Sequence, residues 1–406
     1  MVDTAPSLAG LPPAIEDPAM APPVVLEPVD AAGPGGFPAA REGWLEAFRR
    51  HVYGRAPEDG WRLTAQIDRC AAAGGGLVWR EEITVDLATD RGSRSWRILV
   101  HRPALPGPVP VLLGLNFAGN HTTTPDPWPT ITPAWVPPRP DEGSPGGAAR
   151  SADRGILARR WPYADLVAAG FAVATVYSGE IEPDRPDGWR DGIRCLFPDA
   201  DPDRAPADAW GTLAVWAFGL RRSLDALLAA APWADPARLA VVGHSRMGKS
   251  ALWAAAQDPR IAGVLANDSG CTGAAIARRR MGERQVHLNA RFPHWCCRAY
   301  RAFDEREDAL PVDQHQLLAC IAPRIVHVAS ADQDRWADPD GELLACVHAG
   351  PAWDLLGAPG FGPRPDPVPL DRAIGGRIRY HRRPGPHDLT ATDWHRFSAT
   401  LRDHGW

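Results

Sequence analysis

Between residues 210 and 231 the apolar side chains Leu213, Trp216, Leu220, Leu224 and Leu227 recur every three or four positions, the spacing of a helix with one buried face. A short Pro-Trp turn follows, and then the period changes: 238–242 is an apolar run, as are 109–116, 170–177 and 261–266, while 324–330 and 377–380 are strand-like runs that carry some polar residues. Short runs that are apolar on both faces read as strands covered on both sides, which is how parallel sheets are built. Stretches 77–85 and 95–101 read as an antiparallel lead-in to 109–116. Helical spacing returns at 41–51, with Trp44, Leu45 and Phe48 on one face, at 250–257, and at 390–402, which closes the chain. The alternation predicts an α/β fold, a mostly parallel central sheet flanked by helices in three α/β/α layers. Residues 1–38, rich in Pro, Ala and Gly without a period, predict an extended arm on a single domain spanning 39–406. Residues 126–155 are also aperiodic and too long for a plain connector, so they predict a surface excursion near the functional site.

Composition narrows the classes. With 406 residues, 45% hydrophobic and 23% charged, the chain can bury a large core. A formal net charge of −5 exerts no general pull on nucleic acid or an anionic membrane. Arg278-Arg279-Arg280 and Arg382-Arg383 read mostly as solvated surface charge, with local attraction for an anionic ligand as the alternative. Seven cysteines, an odd number with no C-x-x-C pair, indicate neither a disulfide framework nor a zinc site. Cys320 and Cys346 fall in apolar helical patterns and belong to the core. No apolar run reaches the ~18 residues that cross a membrane. The start, Met1-Val-Asp-Thr-Ala-Pro-Ser, lacks the basic and apolar stretches of a secretory signal. The expectation is a cytoplasmic monomer, or a secreted or periplasmic one if a signal has been removed, with no metal or cofactor.

Chemistry enters at Gly243-His244-Ser245-Arg246-Met247-Gly248-Lys249, directly after the run at 238–242. A serine between a strand and a helix, with a small residue two positions before it, is how an α/β-hydrolase presents a nucleophile. Met247 stands where the second glycine of G-x-S-x-G is expected, and the glycine comes one residue later. A helix-capping serine is the plainer reading of Ser245 alone. Gly243 to Ser250 also matches G-x-x-x-x-G-K-[ST], but no other feature supports a nucleotide site. Two loops beyond later strands favour hydrolysis: Ala331-Asp332-Gln333-Asp334-Arg335-Trp336 and Arg383-Pro384-Gly385-Pro386-His387-Asp388. The order nucleophile, acid, histidine is that of the α/β-hydrolases, and each residue follows the carboxyl end of a strand.

A serine hydroxyl needs a base, and the base needs an acid to hold its tautomer. Ser245 and His387 fill the first two roles. Asp334 is the favoured acid; Asp268, in Asn267-Asp268-Ser269-Gly270, is the other candidate, or else simply caps a turn. The Arg246 amide is the expected oxyanion donor, its guanidinium can reach the same oxygen, and Asn116-Phe117-Ala118-Gly119-Asn120 can supply a second amide. Trp210, Trp216 and Trp295 read as core.

Gly243–Lys249, Asn267-Asp-Ser-Gly-Cys-Thr-Gly-Ala-Ala275, Phe292-Pro-His-Trp295, the stretch from Asp313 to Arg324, Asp334-Arg-Trp-Ala-Asp-Pro339 and Arg383-Pro-Gly-Pro-His-Asp388 together resemble the bacterial branch of the glucuronoyl esterases, carbohydrate esterase family 15. The likeness runs from about Arg41, through Tyr53-Gly-Arg-Ala-Pro57, to the C-terminus. It implies a metal-free serine esterase that cleaves the ester between glucuronate on xylan and a lignin alcohol. By motif position it implies Ser245 as nucleophile, His387 as base, Asp334 as acid and Arg246 as the oxyanion arginine. It also implies Lys249, Glu283 and Trp336 as contacts to the sugar. Asp268 departs from the pattern, since some members carry Glu there as the triad acid and others carry no acid. The resemblance leaves open an acetylxylan or small acetyl esterase, and a catalytically inactive carbohydrate-binding relative.

Overall fold

The computed structural model describes residues 10–406, and they form two compact units. One takes Ala56–Pro206 and Val215–Val241; the other takes the chain from residue 10 to Arg55, Ala207–Ala214 and Val242–Trp406.

In the first unit the strands lie in the order Arg62–Ala73, Val78–Thr89, Gly92–Pro103, Ala172–Tyr177, Val109–Asn116. The first four pair antiparallel in sequence, and Ala172–Tyr177 runs parallel to Val109–Asn116. Val109–Asn116 and Ala172–Tyr177 are buried at every position, which is why they read as unbroken apolar runs. The helix Thr212–Ala230 supplies Trp216, whose indole N–H donates to the Glu182 carbonyl at 2.9 Å, and Ser223, whose hydroxyl accepts from Trp96 at 2.8 Å. The expected lead-in strands are longer than their apolar cores, and Arg62–Ala73 was not expected at all. Its side chains are mostly exposed or half-buried, so it carries no apolar stripe.

The excursion at 126–155 is held by contacts that have no period. Arg69 and Arg80 lie over the Trp128 ring at 4.4 and 5.0 Å, and Glu82 accepts from both the amide and the hydroxyl of Thr130 at 2.7 Å. After Val109–Asn116, the Asn116 carboxamide accepts from the amides of Ala118 at 3.3 Å and Gly119 at 2.9 Å. Those two amides already have an acceptor, so neither is free to serve as the second oxyanion donor.

In the second unit Ile261–Asn267, Ile325–Ala331 and Ile378–Arg383 pair parallel, with the short strand Ile374–Gly375 antiparallel at the edge. Asn267 pairs with Ala329 and Ala331 with Arg383, so the loops that begin at Asp268, Asp332 and Pro384 leave the same end of the strands. Helices Arg246–Gln257, Pro339–Leu355 and Ala391–Asp403 pack on them. The helix expected at 41–51 is Gly33–Phe48, beginning at Gly33 rather than Arg41. Gly33-Pro34-Gly35-Gly36 reads as loop, yet proline is favoured in a first helical turn, and Phe37 is buried.

Both arginine clusters correct the solvated reading. Arg279 is buried against Asp338 at 2.9 Å, Arg278 pairs with Asp313 at 3.3 Å, and Arg280 with Glu307 at 3.3 Å. Arg382 pairs with Asp340 at 2.9 Å, and Arg383 is buried. Cys320, Cys346, Trp210, Trp216 and Trp295 lie in the core, as expected.

Candidate active site

Ser245 joins the strand Ala234–His244 to the helix Arg246–Gln257 with φ 56° and ψ −127°. A non-glycine residue rarely takes a positive φ, and one held at a strand-to-helix turn marks a side chain pushed outward from the backbone. Gly243 makes the turn possible, because a methyl group there would run into the Met247 carbonyl. The amides of Gly248 and Lys249 close back on the Ser245 carbonyl at 2.8 and 3.2 Å. The Gly248 amide is thus turned inward, unlike the amides of a phosphate-cradling loop. Arg246 is the first helical residue, and its N–H is among those a helix cannot satisfy internally. Its guanidinium lies over the rings of Phe292 and Trp295 at 5.2 and 4.7 Å, which are stacked at 3.7 Å.

Nδ1 of His387 meets Oδ2 of Asp334 at 2.5 Å, and the imidazole remains open to solvent. Its ring centroid is 4.5 Å from that of His244, the residue before Ser245. His244 is itself anchored, Nδ1 to Asn267 Oδ1 at 2.6 Å. The acid and histidine loops clasp each other through three hydrogen bonds: Asp332 N to Arg383 O at 2.9 Å, Gln333 N to Gly385 O at 3.2 Å, and Gly385 N to Asp332 Oδ1 at 2.8 Å.

Asp268 lies behind this pair. Its carboxylate accepts from the amides of Ala331 at 2.7 Å and Asp388 at 3.3 Å, and from Arg383 at 3.4 Å. Burial, reinforced by the charges of Asp334 and Glu342, pushes the Asp268 carboxyl well above the usual range, with Arg383 pulling the other way. Among the described residues, Asp268, Asp334 and His387 are a group whose ligand atoms, within 4.8 Å of one another, could surround a cation. Arg383 already sets a positive charge against Asp268, and His387 Nδ1 already donates to Asp334, so the two carboxylates have partners of their own.

Two supporting residues escaped the sequence reading. Arg383 donates to the carbonyls of Pro384, Pro386 and Asp388 and to Asp393, so the histidine loop is wrapped around one guanidinium. Glu342, fully buried on the helix Pro339–Leu355, accepts from Ser269 N at 2.8 Å, Ser269 Oγ at 2.7 Å, Gly270 N at 2.9 Å and Ser330 Oγ at 2.6 Å. One carboxylate thus ties the loop after Asp268 to the strand that leads to Asp334. Burial lifts it to about 7 despite these donors. A buried Glu in a helix beside an apolar strand end was the available signal for Glu342. For Arg383 the signal was its place at the end of a buried strand.

Lys249, Glu283 and Trp336 come together. Lys249 is buried; Nζ donates to the Cys271 carbonyl and pairs with Glu283 Oε2 at 3.5 Å. An ammonium has three donors, so one is left for a ligand. The Glu283 amide donates to the Trp336 carbonyl at 2.8 Å, an approach that needs the absence of a side chain at Gly282, φ 57°. Because removing Lys249 would leave the half-buried Glu283 carboxylate without its cation, Lys249→Ala is expected to lower stability by about 1–3 kcal/mol in urea unfolding.

A serine on a strained strand-to-helix turn, beside a carboxylate-bound histidine at the carboxyl ends of parallel strands, belongs to a carboxylic ester hydrolase of the α/β-hydrolase type. A family model described as glucuronyl esterase, fungi, matches residues 206–357. Carbohydrate esterase MZ0003, from an unknown prokaryotic organism, is 38% identical over 350 residues, covering 86% of this chain and 80% of that protein. A promiscuous esterase of carbohydrate esterase family 15 from a marine bacterial metagenome superposes with TM-score 0.89 at 35% identity, over 97% of this chain and 100% of that one. The glucuronoyl esterase from Solibacter usitatus does so with TM-score 0.88 at 35% identity, over 96% and 100%. The chain belongs to carbohydrate esterase family 15.

Proposed function

We propose that this protein hydrolyses esters formed at the carboxyl group of glucuronic acid, including 4-O-methyl-glucuronoyl esters that join glucuronoxylan to lignin alcohols. The observation that carries the reading is the 2.5 Å contact between Asp334 and His387, made beside the Ser245 turn. Asp334 holds the imidazole with Nδ1 protonated, which leaves Nε2 to take the Ser245 proton as Oγ adds to the ester carbonyl. The oxyanion forms against the Arg246 amide, with the guanidinium adding positive charge near it. Collapse breaks the bond to the alcohol, which leaves with the proton from Nε2. Water, deprotonated by the same nitrogen, then attacks the acyl-enzyme and releases glucuronate and Ser245.

Trp336, Glu283 and Lys249 supply an aromatic face, a carboxylate and an ammonium in one place, which suits the faces and hydroxyls of a sugar. The Solibacter usitatus relative is itself named a glucuronoyl esterase, which supports the same substrate class. Trp336→Ala keeps the backbone carbonyl that Glu283 needs and removes only the ring. It is expected to lower kcat/KM on benzyl glucuronate by roughly tenfold or more while changing an aryl acetate by less than about twofold. Equal losses on both esters would point to an acetyl esterase, with Trp336 serving as packing. Failure of wild type to turn over either ester or to react with a serine-directed phosphonate would point to an inactive carbohydrate-binding relative.

A further inference from the structure

Residues 12–16 run along the loops that carry Glu283 and Trp336. Ile15 forms a parallel bridge with Met281, and its carbonyl accepts the Gly282 amide at 2.8 Å. The Pro12 carbonyl lies 2.5 Å from Nε2 of His287, and the Glu16 carbonyl accepts from Arg335 at 3.2 Å. Gly282 and Arg335 are the chain neighbours of Glu283 and Trp336. His287 is the ring stacked on Trp336, with centroids 5.5 Å apart at 28°. Its Nδ1 accepts from the Arg284 amide at 3.1 Å, so Nε2 carries the proton donated to Pro12, and both edges of the ring are pinned. Three main-chain carbonyls of one short segment therefore reach the immediate neighbours of two residues assigned to the sugar.

We propose that segment 12–16 is a specificity-determining part of the active site: it fixes the plane of Trp336, through His287 and Arg335, and the placement of Glu283, through Gly282. The inference rests on the assignment of Trp336 and Glu283 to the glucuronate. Among the described residues its hydrogen bonds and bridge go to Met281, Gly282, His287 and Arg335 rather than to Ser245, His387 or Asp334, so it acts on recognition of the sugar and leaves the acyl-transfer chemistry alone.

The test keeps the full chain and loosens the segment with Pro12→Gly, Pro13→Gly and Ile15→Gly combined, which frees the backbone and removes the Ile15 side chain. The expected result is a KM for benzyl glucuronate raised roughly tenfold with kcat within about twofold, and kcat/KM on an aryl acetate within about twofold. In hydrogen exchange the Gly282 amide loses protection. In a Trp336→Ala background the same three substitutions should cost clearly less than they do alone, because the share of their effect that passes through the ring is already lost and only the share through Gly282 and Glu283 remains. Arg335→Ala, which removes only the Glu16 contact, should show the same selectivity on a smaller scale and serves if the triple variant does not fold. Full additivity with Trp336→Ala, or equal losses on both esters, overturns the role of the segment. A Trp336→Ala enzyme that keeps wild-type selectivity instead overturns the sugar assignment beneath it.

Discussion

Ser245→Ala should lower turnover of benzyl glucuronate by roughly 10⁴- to 10⁶-fold, the scale seen when a triad nucleophile is removed. The fold should survive. Ser245 is half-buried at a turn fixed by Gly243 and by the amides of Gly248 and Lys249, and those contacts use its backbone carbonyl rather than its hydroxyl. Alanine meets the same penalty as serine at φ 56°, so the strain neither rises nor falls. The melting temperature should stay within about 2 °C of wild type, and labelling by a serine-directed phosphonate should disappear. Residual activity near wild type would remove Ser245 from the reaction.

The second large effect separates the two carboxylates. Asp334→Asn presents an amide where His387 Nδ1 needs an acceptor, and turnover should fall by roughly 10⁴-fold, as when a triad acid is neutralised and the imidazole settles in the wrong tautomer. Asp268→Asn should cost clearly less in turnover and more in stability. Its oxygens face two backbone amides and Arg383, so an Asn NH₂ would be turned toward other donors. Urea unfolding and kcat measured on both variants decide the matter. The reverse ranking would move the orienting role to Asp268. Modest losses in each, with a severe loss only in the double variant, would show the two carboxylates acting as a unit.

The strand ends were legible because burial on both faces writes itself into composition: 109–116 reads as it folds, and the runs that precede Ser245, Asp268, Asp334 and His387 are placed within a few residues. The order of the site loops was legible for the same reason. Polar residues that act from inside the core were not. Glu342 and Arg383 look like ordinary charges until the fold sets one between two loops and closes the other under three carbonyls. Lys249 shows a related blindness. Its sequence position suggests a ligand for sugar hydroxyls, whereas its partner Glu283, 34 positions away, emerges only when Gly282 lets two loops touch. The strand Arg62–Ala73 was missed because an edge strand with polar faces has no apolar period to detect.

That edge strand bears on how its own exposed backbone is guarded. A row of unpaired backbone groups along an outermost strand invites another chain to add to it, and long flat edges seed aggregation. Here the register slips between Ile67 and Arg69, setting Asp68 out of the ladder, where it takes hydrogen bonds from Gln66 and Thr84. The bulge twists the edge, and Arg62, Asp68 and Arg69 place charge along it, so an incoming strand would have to bury ions to pair. The same polar exposure that hides this strand from an apolar pattern also opposes pairing by an incoming strand.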